Sequence, residues 1–254
     1  MLVIISPAKT LKTDIQAIEN STTPVLINKS KKLAGILKGY NPTQLTELMG
    51  ISTKLSWLNF ERYQQWKSPY IYKGAFNAIY TFKGEVYNGL DIDSFSEEDV
   101  AYTQDHLRIL SGLYGVLMPL DAILPYRLEM GTKLNVGEHK NLYQFWGDSI
   151  TNTLNKDLKV FGENTLINLA SAEYFKSINT KLLKANIITP VFKEYKNGNY
   201  KVISIYAKKA RGMMTRFIMK NHITQVNDIK HFENDGYYFN EILSNTSSFV
   251  FTRG

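Results

Sequence analysis

Three observations predict an α/β (mixed α+β) fold in a single compact domain. Short apolar, β-branched runs at Leu2–Ile5, Leu166–Leu169 and Ile187–Phe192 have the length and composition of buried strands. Between them lie segments with helical apolar spacing and recognisable caps. The 254 residues contain no internal repeat, low-complexity tract or Pro/Gly/Ser linker, so one domain spanning 1–254 is expected. Helices and strands follow one another without strict βαβ alternation, and the pattern alone leaves α/β and α+β open.

The first strand, Leu2 to Ile5, ends at Ser6-Pro7, because proline removes a donor and pushes its predecessor out of α geometry. Thr23 to Gly39 reads as a helix with Leu26, Leu33, Ile36 and Leu37 on one side and lysines on the other. Asn41-Pro42-Thr43 opens a second helix with an apolar face of Leu45, Leu48 and Met49, and Gly50 fits its left-handed C-cap. Ser52 is the N-cap expected for a third, with Leu55, Leu58, Tyr63 and Trp66 as its apolar positions. Phe95-Ser96-Glu97-Glu98-Asp99 reads as an N-cap with an acidic first turn, and the helix is expected to run toward Leu110. Asn141 to Leu158 contains a further helix. Phe192 to Ile205, centred on Asn197-Gly198, reads as a hairpin, since Asn-Gly supplies the positive φ angles of a type I′ turn. Its second arm is expected to continue as an apolar strand over Val202 to Tyr206, followed by a basic helix from Lys208 to Ile218. Asp235 to Phe239 and Ser248 to Phe251 suggest terminal strands.

Formal net charge is +7. That excess favours polyanionic partners, and a solvated lysine-rich surface would produce the same number. There is no cysteine, which excludes disulfides, thiolate catalysis, cysteine-ligated zinc and iron–sulfur clusters. The apolar start at Met1–Ile5 has no basic n-region or long h-region. No stretch reaches the roughly 18 apolar residues of a membrane helix. A cytoplasmic protein without membrane contact is expected.

The candidate chemistry lies where cations sit in sequence that otherwise reads as core. Burying a cation is costly unless it is paired or faces an anion, so these segments point to a basic cleft for phosphate or nucleic acid. Ser6, Lys9 and Thr10 offer two hydroxyls and an ammonium directly after a buried strand; without the glycines this is no Walker loop, and a capped turn is the alternative. Arg108, Ser111, Tyr114, Arg127 and Glu129 occupy a stretch punctuated by glycine and proline. Arginine forks grip phosphate bidentately, and Glu129 is either the partner of Arg127 or a general base. Lys208, Lys209 and Arg211 either bind an anion or form a solvated helix face.

Separately, residues 42–66 have the layout of a helix-hairpin-helix element. Gly50 and Ser52 stand at its hairpin, and Lys54 and Arg62 add charge. Free N–H groups at the second helix's start suit a DNA phosphate. The usual second hairpin glycine is replaced by Ser52, and an ordinary αα-hairpin is the alternative. Metal binding finds no support: His106, His139, His222 and His231 lack ligand spacing, and Asp91, Asp93, Glu97, Glu98 and Asp99 do not match an EF-hand. No cofactor is expected.

Seven blocks in order along the chain resemble the YaaA family of bacterial peroxide stress resistance proteins: ISPAKTL (5–11), FKGEVYNGL (82–90), HLRILSGLYGVLMPLDAILPYRLEMG (106–131), LYQFWGD (142–148), NLASAEYFK (168–176), PVF (190–192) and YAKKARG (206–212). The resemblance implies a cytosolic protein that limits iron-dependent peroxide damage. It also implies a compact α/β fold with a positively charged cleft, and DNA binding through the hairpin element. By position, the hairpin falls on Leu45–Arg62, and the cleft draws on Lys9, Arg108, Arg127, Lys208, Lys209 and Arg211. Two functional readings follow, with direct iron sequestration third because the clustered oxygen or imidazole ligands it requires are not found in the sequence. One is a DNA-binding stress protein contacting duplex phosphates largely without base readout. The other is an enzyme acting on a phosphorylated or nucleotide-like small molecule, with its cations stabilising developing negative charge.

Overall fold

The apolar β-branched runs form the middle of one sheet. The structure is a computed structural model and describes residues 1–13, 21–67 and 75–254. Along the chain, β1 (Leu2–Ile5) and β2 (Thr10–Leu11) precede three helices: α1 (Ile27–Lys38), α2 (Pro42–Met49) and α3 (Thr53–Gln65). Short pieces follow: β3 (Phe76–Asn77), α4 (Ala78–Thr81), β4 (Phe82–Lys83), α5 (Glu85–Leu90) and a 3₁₀ turn at Ile92–Ser94. Then come α6 (Glu97–His106), β5 (Leu107–Ser111), β6 (Gly115–Leu117), β7 (Ala122–Ile123), α7 (Leu142–Trp146) and α8 (Ser149–Val160). The last third holds β8 (Thr165–Leu169), α9 (Ala172–Phe175), β9 (Asn186–Lys196), β10 (Asn199–Lys201), α10 (Ser204–Lys220), a second 3₁₀ turn at Val226–His231, β11 (Tyr238–Phe239) and β12 (Ser248–Arg253).

The main sheet has the order β11-β12-β9-β8-β1-β5-β6, with β10 paired to β9. Its five central strands, β12, β9, β8, β1 and β5, are parallel to their neighbours, and antiparallel partners close both sides. Val3 lies opposite Leu107 on one side and Ile167 on the other, and every residue of β1, β5 and β8 is buried. That is why these strands read as continuous apolar runs rather than alternating ones.

Local capping explains the hairpin region. Asn41 and Gln44 exchange backbone–side-chain bonds in a capping box, and Pro42 occupies the first helical position. Gly50 ends α2 at φ 60°, and Ser52 Oγ accepts from Leu55 N to start α3. The buried side of α3 matches its apolar pattern at Tyr63 and Trp66 and departs from it at Leu55 and Leu58. Ser56, Asn59 and Tyr63 are buried, whereas Leu55, Leu58 and Trp57 are exposed. Ser56 and Asn59 are accommodated because their side chains bond carbonyls of the preceding turn, at Thr53 and Leu55.

Two further expectations are corrected. The helix begun by the Ser96–Asp99 capping box stops at His106 rather than near Leu110, and Leu107 enters β5 directly. No glycine or proline marks this junction; pairing with β1 decides it. The Asn197-Gly198 turn is present, with φ 54° and 78°, but the second arm stops at Lys201. The expected strand over Val202–Tyr206 is instead a short connection and the first turn of α10. Tertiary contact fixes that helix. A Cβ on Gly212 would lie 1.8 Å from Val86 O, and one on Gly89 would lie 2.2 Å from Lys209 O. The backbones of α5 and α10 therefore touch, which only glycine at both positions permits. The segment from Asn141 holds two helices, α7 and α8, separated by Gly147 at φ 47°.

Candidate functional site

The chain leaves β1 toward β5 on one side of the sheet and leaves β8 toward β9 on the other. The carboxyl ends of β1 and β8 therefore flank a topological switch point, where diverging connections open a crevice. Serines follow both strands and meet there: Ser171 N donates to Ser6 Oγ at 2.8 Å, and the two hydroxyls lie 3.2 Å apart. Beneath them, the buried Tyr87 hydroxyl donates to Ser6 O at 3.1 Å. Burial raises Tyr87 and Tyr174 far above the ordinary phenol range, so both hydroxyls remain protonated.

A cavity of about 550 Å³ opens at this point. The segment after β1 gives Ser6, Lys9 and, at the start of β2, Thr10; α10 gives Lys208 and Arg211; and Glu129 closes one side. These six are site residues expected from the sequence, and the fold brings them together from three distant segments. Lys83, Glu85, Ser171, Glu173 and Tyr174 also line the cavity, and sequence reasoning misses them. A signal for them exists: Leu169-Ala170-Ser171 repeats the strand-then-serine pattern of Ile5-Ser6.

The charges in the cavity divide into matched and unmatched groups. Glu129 is shared between Lys9 Nζ at 2.6 Å and Arg127 Nη2 at 3.1 Å. Arg127 thus stands behind Glu129 and holds it, rather than lining the cavity. Arg211 is different. It is half-buried and has no anionic partner among the described residues, and burial lowers its guanidinium below the ordinary arginine value. A desolvated cation facing an open cavity is a receptor for an anion.

Other expected residues lie elsewhere. Arg108 is 1% exposed; its Nε donates to Asp157 at 2.7 Å, and its Nη1 reaches the carbonyls of Gln104, Asp105 and Leu107. It caps the end of α6 and has no access to the cleft. Ser111 and Tyr114 are buried: the Ser111 hydroxyl bonds Tyr126 at 2.6 Å and accepts from Tyr114 N, while the Tyr114 hydroxyl bonds Trp66 and Leu124. Lys209 turns away from the cleft and pairs with Asp235 at 3.7 Å.

A second, more open trough of about 840 Å³ adjoins the cleft and shares Glu129 and Glu173 with it. Gly50 and Glu47 lie at its hairpin side, and Lys133 is the sole cation among its described lining residues. With Glu129 held by Lys9 and Arg127, the carboxylates of Glu47 and Glu173 oppose the passage of a phosphodiester strand between hairpin and cleft. Ser52 and Lys54 face outward on the exposed corner of the α2–α3 hairpin. Arg62 lies about 12 Å further along α3, half-buried, with Nη1 3.5 Å from Asn59 Oδ1. Among the described residues, no cluster of three or more His, Asp or Glu side chains is arranged to hold a metal ion. No helix among them is long and apolar enough to cross a membrane.

The profile of the peroxide stress protein YaaA family matches residues 1–243. The chain belongs to this family. UPF0246 proteins of Aliivibrio fischeri (strain MJ11) and Teredinibacter turnerae are 51% and 52% identical to it over 254 residues. Those alignments cover all of this chain and 98% and 99% of the two relatives. A UPF0246 protein of Idiomarina loihiensis is 52% identical over the same span. The resemblance of the seven motif blocks thus extends over the full chain. Within this YaaA-family chain, the blocks at 5–11, 82–90, 168–176 and 206–212 all contribute to the cleft wall.

Proposed function

We propose that this peroxide stress protein is a cytoplasmic anion-binding protein whose cleft takes a phosphorylated or nucleotide-like ligand. The observation that carries this reading is Arg211, a desolvated guanidinium without an anionic partner among the described residues, lining a cavity at the sheet's switch point. Lys208 and Lys83 add charge, and Ser6, Thr10 and Ser171 add hydroxyl groups for phosphate oxygens. An enzyme acting on that ligand would use the same cations to stabilise charge developing on the phosphate. Titration calorimetry with inorganic phosphate tests the reading. Wild type binds saturably, and Arg211→Gln weakens binding by about tenfold, the loss of one charged hydrogen-bonding partner. Unchanged binding in Arg211→Gln would remove the assignment.

A second reading, duplex DNA binding at the hairpin, is favoured by the exposed corner formed by Gly50, Ser52 and Lys54. There the left-handed Gly50 turns α2 into α3 and leaves first-turn amides beside a lysine. DNA held this way would be shielded from iron-dependent peroxide damage. Fluorescence anisotropy with a short duplex across a salt series is the test. A steep salt slope supports it if the Lys54→Ala/Arg62→Ala variant lowers that slope by roughly one for each phosphate it no longer neutralises. Equal binding by wild type and variant sinks the hairpin.

A further inference from the structure

Glu173 lines the same cavity as Arg211 and carries the opposite charge. Its Oε1 accepts from Gly131 N at 2.8 Å, which fixes the carboxylate in place. Among the described residues, its Oε2 has no hydrogen-bond partner and no cation pairs with it. Glu129, on the same wall, has two cations to itself. One cavity is therefore lined by an unmatched guanidinium and an unmatched carboxylate, and no ion pair joins them. Opposite charges within reach of each other would have paired. Both charges are therefore left for a ligand that is anionic at one end and donates hydrogen bonds at the other.

We propose that the cleft selects a phosphate monoester of a polyol, a phosphorylated sugar, with phosphate on Arg211 and hydroxyl groups on Glu173. This rests on the anion-site reading of the cleft. Hydroxyl donors fit better than an amine, because Lys9 and Lys83 line the same cavity and repel a further cation. The volume of about 550 Å³ lies within the range of small-ligand sites. Glu173 is then the residue that determines specificity, and Arg211 supplies affinity common to all phosphates.

The test compares ribose 5-phosphate with methyl phosphate, which carries the same charged group without hydroxyls, by calorimetry on the full chain. Wild type should prefer ribose 5-phosphate by about tenfold, the effect of a hydrogen bond to a charged acceptor. Glu173→Gln keeps a carbonyl for Gly131 N and should cut the preference to a few-fold. Glu173→Ala should abolish it without weakening methyl phosphate binding, since it also removes a negative charge from the cavity. Arg211→Gln should weaken both ligands alike. Equal affinity for the two ligands in wild type, or a preference that survives Glu173→Ala, overturns the proposal and leaves the anion site standing. Failure of both ligands to bind overturns the anion site and this proposal together.

Discussion

Arg108 and Arg211 are both arginines set in largely apolar sequence, and the fold treats them in opposite ways. Arg108 lies in a central strand with its guanidinium occupied by one carboxylate and three carbonyls. Arg211 lies on α10 with its guanidinium desolvated and without an anionic partner among the described residues, beside a cavity. The first uses its charge to hold α6, β5 and α8 together. The second keeps its charge available for a ligand. A buried cation thus identifies a site only when its partners are missing.

That contrast is most directly broken by removing each guanidinium. Arg108→Met leaves Asp157 without its partner and the end of α6 uncapped, so a loss of about 3–5 kcal/mol is expected. Arg211→Met removes a charge that no described residue compensates, so stability should hold within about 1 kcal/mol or rise. Urea denaturation of the two variants measures both. Equal losses would mean that Arg211 has a structural role as strong as that of Arg108, and the anion-site reading would lose its main support.

The sequence could not separate these two residues, and the reason is physical. The partner of Arg108 is Asp157, 49 positions away, brought in by packing of α8. What was legible is what neighbours decide. The buried run Leu2–Ile5, the Asn41 and Ser96 caps, the left-handed Gly50 and the Asn197-Gly198 turn all depend on contacts within a few residues. What was misread depends on distant contacts. Leu107 becomes a strand because Val3 is beside it, and Ser204–Tyr206 become helix because Gly212 of α10 seats against α5. The cleft was half legible. Ser6, Lys9, Thr10, Glu129, Lys208 and Arg211 were marked by charge and hydroxyl chemistry near strand ends. Glu173 escaped because an isolated glutamate after a serine looks like an ordinary helix start.

Asp121 sharpens the comparison from the anionic side. Its carboxylate accepts from Thr22 Oγ1 and Met118 N, both at 2.8 Å, yet burial raises its pKa from 3.8 to about 6. Arg108 pulls in the other direction, and Asp157 adds to the rise. Between pH 4 and 6 the folded chain therefore holds a proton that the unfolded chain has released. Folding stability attributable to this group falls as pH increases through that window. The change is at most about 3 kcal/mol, from a shift of roughly two units. Asp121→Asn carries no titrating group and should flatten that part of a stability profile measured by urea denaturation from pH 4 to 7. A wild-type profile with the same slope as Asp121→Asn would show that the two hydrogen bonds outweigh desolvation. Asp121 would then join Arg108 as a fully compensated buried charge.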